Sequence, residues 1–168
     1  LKVVKKQSEG FKPLQKFLCQ FVITGLFAAY CYVSPSIGTS VVIPFTGGRE
    51  FDMGWVYIPF VFFVVLGTDN GVNFTDGLDG LCSSVTSVVA LFFFVIAGIS
   101  RASGTAVVSG AVAGALMGFL LSNAYPAKVF MGDTGSLALG GFVAGAALVL
   151  KMGWFVLIVG LVDAVEVL

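Results

Sequence analysis

The chain has 168 residues, of which 58% are hydrophobic and 11% charged, and its formal net charge is zero. Soluble domains average roughly 25% charged residues, so the composition excludes an ordinary soluble domain and indicates a protein of the lipid bilayer. Zero net charge argues against a nucleic-acid-binding surface. The chain has no histidine, so it cannot itself supply a histidine zinc site or a histidine general base.

Six apolar segments predict an all-α fold, a polytopic bundle of transmembrane helices forming a single membrane domain over residues 1–168. Several are shorter than the roughly 20 residues that a bilayer core requires, so we expect the helices to continue into their polar flanks. Leu1 is not an initiator and the last segment is cut off, so we expect a fragment whose N- and C-terminal helices are missing. In chain order the segments are 17–33, 54–67 (with an extension to 72 left open), 85–100, 105–121, 137–150 and 154–168.

Residues 1–16 form a basic leader with five lysines and a single acid, Glu9. The positive-inside rule places this leader in the cytoplasm. Counting spans from there puts the polar stretches 68–84 and 122–136 on the same side. The three connections 34–53, 101–104 and 151–153 then lie outside. The sequence therefore predicts that both polar stretches and the leader share one cytoplasmic mouth.

The first polar stretch, "GTDNGVNFTDGLDGL" at 67–81, directly follows an apolar run and carries three aspartates and two asparagines. On a helix, Asn73, Asp76 and Asp79 are spaced by three, so each neighbouring pair shares a face. Carboxylates crowded at a membrane boundary need a positive partner, which a divalent cation or the leader lysines would supply. The alternative is ordinary helix capping with a turn at 75–77.

The second polar stretch, "NAYPAKVFMGDTGSLALGG" at 123–141, separates two apolar segments. Pro126 disfavours continuation of the preceding helix, and we expect Ser136 to cap the next one. Helix N-termini attract phosphate, and Asp133 suits a hard cation such as Mg²⁺. Metal and phosphate together indicate a nucleotide-diphosphate site, with a plain loop as the alternative. Lys128 is a candidate partner for Asp133 or phosphate, or merely an inside-positive anchor.

Asp163 and Glu166 lie inside the last apolar run. Ionisable groups within spans are functional candidates by default, although either residue could lie near an interface. A cation-coupled transporter would place its acids near mid-span, at broken helices. Most acids of this chain instead cluster at one predicted face. That clustering disfavours a transporter. A cation-coupled transporter is nevertheless retained as an alternative function.

The motifs "NGVNFTDGLDGL" and "YPAKVFMGDTGSLALGG" together resemble the phospho-N-acetylmuramoyl-pentapeptide transferase (MraY) family. This family belongs to the polyprenyl-phosphate N-acetylhexosamine-1-phosphate transferases, and the resemblance covers essentially the whole chain in motif order and span spacing. "TDGLDGL" and "GSLALGG" are more similar to the muramoyl-pentapeptide branch than to the sister enzymes that use UDP-N-acetylglucosamine. That sister activity is retained as an alternative.

The resemblance implies a Mg²⁺-dependent reaction of peptidoglycan synthesis, which serves cell-wall biogenesis, cell shape and cell division. UDP-MurNAc-pentapeptide and undecaprenyl phosphate would give lipid I and UMP at the cytoplasmic face of the bacterial inner membrane. The fragment alone is expected to be inactive, because the family's Asp-Asp pair would precede Leu1 and its His-rich loop would follow Leu168. One-step and covalent mechanisms both stay open, and a homodimer is one candidate assembly.

The resemblance also implies roles for individual residues, matched by motif position. Asp69 and Gly71 depart from the residues expected at their positions, so Asp69 is a doubtful site member. The implied catalytic residues are Asp133, Asp76, Asp79 and Lys2, the substrate-binding residues are Asn73, Asp76, Asn123 and Phe130 together with Lys128, and the metal ligands are Asp133 and Asn73.

Overall fold

The computed structural model describes residues 13–157, which form five long helices and one short β-hairpin. Each of these helices is long and apolar enough to cross a membrane, which confirms the predicted all-α, polytopic fold. Helical backbone resumes at residue 153 and continues to residue 157. In chain order the elements are α1 (Pro13–Val33), β1 (Ser40–Val42), β2 (Glu50–Asp52), a 3₁₀ turn (Gly54–Val56), α2 (Tyr57–Thr75), α3 (Leu81–Ile99), α4 (Ser103–Asn123) and α5 (Gly132–Val149).

Three predictions fall wholly or largely outside the described residues: Lys2, the acids Asp163 and Glu166, and most of the sixth apolar segment. The hairpin is a feature that the sequence reading did not anticipate. Its antiparallel strands pair Ser40 with Asp52 and Val42 with Glu50. It occupies the connection between α1 and α2.

The helices extend into polar sequence, as expected, because a helix satisfies its own backbone hydrogen bonds where water is scarce. The polar extensions carry site residues. α2 continues to Thr75 and α5 begins at Gly132, so Asn73 and Asp133 are both helical. The capping prediction for Ser136 is wrong, because this serine lies inside α5 and its hydroxyl donates to the Gly132 carbonyl at 3.2 Å.

α2 lies between α1 and α5 and packs against both, with the main apolar core where they meet. Buried members of this core include Ala28, Val61, Val64 and Leu148. A glycine allows the closest approach of α5 to α2: a Cβ at Gly140 would lie 2.6 Å from the Asp69 Cα. Small residues of this kind let membrane helices pack backbone to backbone. The contact holds the polar ends of α2 and α5 together.

The two ends of the bundle are chemically different. At one, the site end, Lys16 near the start of α1 meets Asn73 near the end of α2 and Asp133 at the start of α5. At the other, the hairpin end, the Val42 backbone N–H donates to the Lys151 carbonyl at 2.8 Å. The predicted gathering of both polar stretches with a leader lysine at one end is thus confirmed, while its cytoplasmic location stays a prediction.

Candidate functional site

A polar network joins three helices at the site end. The Lys16 ammonium donates to Asn73 Oδ1 at 2.9 Å and to Asp133 Oδ2 at 3.3 Å. Asn73 Nδ2 in turn donates to Asp133 Oδ1 at 3.3 Å and to Ser136 Oγ at 2.7 Å. The side-chain oxygen of Asn73 therefore accepts from the Lys16 ammonium, while its amino group donates to the Asp133 carboxylate and orients it.

Asp76 and Asp79 follow the last turn of α2, and their arrangement corrects the sequence reading. They share no helical face with Asn73, because α2 ends at Thr75 and the chain turns through 76–80. The segment forms a turn after Thr75, and the roles given to both acids stay predictions. Each carboxylate instead meets the second polar stretch: Asp76 accepts the Gly132 backbone N–H, and Asp79 Oδ2 accepts the Ala127 N–H at 3.0 Å.

The carboxyl group of Asp76 is in an unfavourable place for a negative charge. Desolvation raises its pKa, the nearby Asp133 carboxylate raises it further, and only the hydrogen bond from the Gly132 N–H opposes them. The carboxylates of Asp76 and Asp133 lie near each other, and Asp133 also contacts the Lys16 ammonium. Two neighbouring acids favour binding of a cation. The charge distribution at the site end therefore favours binding of a cation.

The turn between α4 and α5 is fastened by Asn123. Its side chain is buried, accepts from Ser83 Oγ at 2.6 Å and donates to the Val129 carbonyl at 2.9 Å. These contacts support the turn, and a direct substrate contact for Asn123 stays a prediction. Phe130 lies in the same turn and is 71% exposed, and its contact with a ligand stays a prediction.

Lys128 makes no salt bridge with Asp133 in the described part of the chain; Lys16 takes that carboxylate instead. Of the three alternatives for Lys128, the pair with Asp133 is thus not formed, while a phosphate contact and an inside-positive anchor stay predictions. The backbone N–H groups of Lys128 and Val129 both donate to the Ser122 carbonyl, folding the turn back against the end of α4. Sequence reasoning passed over Lys16 as an individual residue. The available signal was its position as the last leader lysine, at the boundary of the first span.

A cavity of about 990 Å³ extends from this network into the bundle between α1, α2 and α5. Lys16 and Asp133 line its mouth, and Gln20, Thr24 and Asp69 contribute polar groups to its wall. Asp69 is 8% exposed, and its Oδ2 accepts from Gln20 Nε2 at 3.3 Å. Asp69 Oδ1 and Thr24 Oγ1 have no hydrogen-bond partner among residues 13–157. The doubtful aspartate Asp69 thus lines the same cavity as Asp133.

The donors at the mouth fit a hard divalent cation. Asn73 Oδ1 and Asp133 Oδ2 are oxygen ligands already in contact with a positive charge, the Lys16 ammonium. Within residues 13–157 no group of three or more His, Cys, Asp or Glu side chains is gathered as a metal site. Mg²⁺ commonly uses only one or two carboxylates, with water and substrate phosphates completing its shell. The site therefore offers two oxygen atoms of the kind that hard divalent cations bind, and a bound Mg²⁺ stays a prediction.

The geometry agrees with comparisons to known proteins. A family model described as "Glycosyl transferase family 4" matches residues 8–151. The chain belongs to glycosyl transferase family 4. The match to this family includes every residue of the Lys16–Asn73–Asp133 network. This membership confirms the family resemblance that the two sequence motifs indicated.

Several relatives of this family 4 chain share the name phospho-N-acetylmuramoyl-pentapeptide-transferase. The protein of Clostridium novyi (strain NT) is 45% identical over all 168 residues, which correspond to 51% of its own length. That of Clostridium perfringens (strain 13 / Type A) is 46% identical over the same residues and 52% of its length. The protein of Clostridium kluyveri (strain ATCC 8527 / DSM 555 / NBRC 12016 / NCIMB 10680 / K1) is 44% identical over the same residues, which correspond to 53% of its length. The chain spans about half the length of the curated relatives it matches.

Proposed function

We propose that this chain carries part of the active site of a phospho-N-acetylmuramoyl-pentapeptide transferase. The net reaction joins a phosphate oxygen of undecaprenyl phosphate to the sugar-linked phosphorus of UDP-MurNAc-pentapeptide. The bond from that phosphorus to the bridging oxygen breaks, and UMP leaves with this oxygen. The observation that carries the proposal is the Lys16–Asn73–Asp133 network at the mouth of a membrane-embedded cavity.

Transfer of a phosphoryl group depends mainly on positioning and on neutralisation of negative charge. Asp133 and Asn73 are the residues that would hold Mg²⁺ here, and the bound ion would neutralise the diphosphate. Lys16 adds a cation beside two anionic substrates that repel each other. Asp79 fixes the turn before α5 through the Ala127 N–H, which keeps Asp133 at the mouth of the cavity.

A membrane-embedded cavity also suits the second substrate. The network marks a polar mouth, while apolar side chains such as Ile23, Phe27 and Val65 line the space between α1 and α2. A lipid phosphate needs this combination, because its head group is charged and its chain is apolar. We propose that this site lies at the cytoplasmic face of a bacterial inner membrane, since four of the five leader lysines precede α1.

The reaction is tested with the purified full-length protein, undecaprenyl phosphate and two radiolabelled sugar nucleotides. With Mg²⁺ present, UDP-MurNAc-pentapeptide should yield labelled lipid and UMP, whereas UDP-N-acetylglucosamine should yield neither. Chelation should stop product formation and added Mg²⁺ should restore it. Preference for UDP-N-acetylglucosamine would overturn the choice of branch. Absence of UMP from both substrates, with solute flux in proteoliposomes, would favour a transporter.

The orientation is tested by cysteine labelling in a background in which Cys19, Cys31 and Cys82 are replaced. Leu78 and Val129 flank the site and are 70% and 47% exposed, while Phe45 in the hairpin is 96% exposed. Cysteines placed at 78 and 129 should react with a membrane-impermeant reagent from the cytoplasmic side. A cysteine at 45 should react only from the opposite side. Labelling of 78 and 129 from opposite sides would contradict a shared mouth.

A further inference from the structure

The Lys16 ammonium lies where the proposed metal would bind. It contacts Asn73 Oδ1 at 2.9 Å and Asp133 Oδ2 at 3.3 Å, the two oxygens assigned above as Mg²⁺ ligands. A divalent cation and an ammonium cannot both lie against these atoms, because like charges at such separations repel strongly. Metal binding therefore has to displace the ammonium.

An acceptor for the displaced ammonium lies one helical turn away. Asp69 precedes Asn73 by four residues on α2, and Gln20 follows Lys16 by four residues on α1. The two helices are thus linked by two successive contacts, Lys16 to Asn73 and Gln20 to Asp69. In the second contact only Oδ2 of Asp69 is used, and Oδ1 has no partner within residues 13–157.

An unpartnered oxygen on a side chain that is 8% exposed is costly, and an ammonium group would relieve this cost. One helical turn is about 5.4 Å, a step within reach of the flexible four-carbon stem of a lysine. Lys16 and Asp69 also line the same cavity. The two side chains therefore border one cavity.

We propose that Asp69 is a positioning residue that accepts the Lys16 ammonium when a divalent cation binds Asp133. The inference rests on the metal site of the proposed function. Asp69 then favours metal binding, because it gives the expelled ammonium a partner inside the cavity. It also keeps the lysine charge close to the place where two anionic substrates meet.

The test measures Mn²⁺ affinity by electron paramagnetic resonance in the purified, nucleotide-free, full-length protein. Asp69→Asn should weaken Mn²⁺ binding by about threefold to tenfold, the range of a modest ion pair. Lys16→Met should tighten binding, because the competing ammonium is gone. In the Lys16→Met background, Asp69→Asn should leave the affinity about unchanged. Glu50→Gln, which removes a lysine-paired carboxylate at the hairpin end, serves as the matched control and should have no effect.

The double substitution separates the proposed exchange from simple attraction. An equal loss from Asp69→Asn with and without Lys16 would mean that the carboxylate attracts the metal directly, and the inference would be wrong. No loss in either background would overturn it as well. If Asp69→Asn fails to fold, Asp69→Ser provides a smaller neutral side chain beside Gly140, measured in the same way.

Asp133→Asn distinguishes failure of this inference from failure of the metal site. Unchanged Mn²⁺ affinity in Asp133→Asn would remove the proposed site and the exchange with it. Lost affinity in Asp133→Asn, together with a silent Asp69→Asn, would remove the exchange alone.

Discussion

Within residues 13–157, each end of the bundle holds one lysine–carboxylate pair, and the two pairs look alike in isolation. At the site end, Lys16 and Asp133 are 3.3 Å apart with side chains 22% and 74% exposed. At the hairpin end, Lys151 and Glu50 are 2.7 Å apart with side chains 26% and 46% exposed. Distance and exposure alone would rank the hairpin pair as the stronger contact.

The surroundings of the two pairs separate their roles. Lys151 holds β2 to the turn after α5, next to the backbone bond from Val42. Lys16 contacts both the Asn73 amide and Asp133, whose carboxylate lies near that of Asp76. Lys16 also borders a cavity whose wall includes Asp69, with an unpartnered carboxylate oxygen. The site is therefore distinguished by excess negative charge and an adjoining cavity. The Lys151–Glu50 pair instead has a structural role, and we call it the hairpin clip.

The largest expected difference between the pairs is in catalysis. In the full-length protein, Asp133→Asn should lower the rate of UMP release more than about 100-fold, because the charge that holds Mg²⁺ is lost. Glu50→Gln should leave the rate within about twofold. Initial rates at saturating substrate, with folding checked by thermal unfolding, measure both. Near-normal turnover of Asp133→Asn would contradict the role assigned to this residue.

Asn73 is the next most sensitive position, since its amide contacts α1 and α5 at once. Asn73→Ala should reduce kcat by roughly 10-fold to 100-fold and lower the free energy of unfolding by about 1–3 kcal/mol. Asn70→Ala is the matched control, because among residues 13–157 the only acceptor of Asn70 Nδ2 is the Leu66 carbonyl of its own helix. Equal effects of the two substitutions would argue against a special role for the bridging amide.

Alanine substitutions at two glycines test how tightly the helices pack toward each end of the bundle. Gly140→Ala would place a Cβ 2.6 Å from the Asp69 Cα, a backbone atom that cannot move alone. Gly153→Ala would meet the Phe60 ring at 2.8 Å, where a side chain can rotate. Gly140→Ala should therefore cost about 1–3 kcal/mol in unfolding free energy and Gly153→Ala less. Denaturant unfolding in detergent measures both, and the reverse order would contradict a tight α2–α5 contact.

The smallest expected effect is the pH dependence of the hairpin clip. The hydrogen bond from Lys151, followed by that from Ser40, lowers the pKa of Glu50 below its ordinary value of 4.5. The clip thus contributes stability above that ordinary value and loses it as the pH falls through the lowered pKa. Glu50 is exposed, so the contribution is roughly 0.2–1 kcal/mol. Glu50→Gln should flatten this acid-side loss in thermal unfolding scans; an unchanged pH profile would show that the pair is not involved.

Much of the fold was predictable because its signals are local. Helix spans follow from runs of apolar residues, whose length is set by the thickness of the bilayer. Their number fixes which connections share a side, so the meeting of Asn73 and Asp133 at one end was also predictable. The helix boundaries were less predictable from the sequence, since α2 and α5 both continue through the polar residues that form the site.

The pairing of charges was beyond the reach of sequence reasoning. Lys16 and Asp133 are 117 residues apart, and Lys128 is much closer to Asp133 in the chain, yet it does not form the pair. The burial of Asp69 depends on the close approach of α5 at Gly140, which no pattern within α2 reveals. Similarly, only the turn after Thr75 sends Asp76 and Asp79 toward separate backbone donors.

The sequence by itself therefore determined a membrane bundle, the end at which its polar motifs meet, and the family to which they belong. Those properties depend on composition, span count and motif order. Only the tertiary structure decided which lysine meets Asp133, which aspartate lacks a partner and which lysine pair is a clip. The physical reason is that an ion pair is set by side-chain positions a few ångströms apart, and these arise from the packing of helices far apart in the chain.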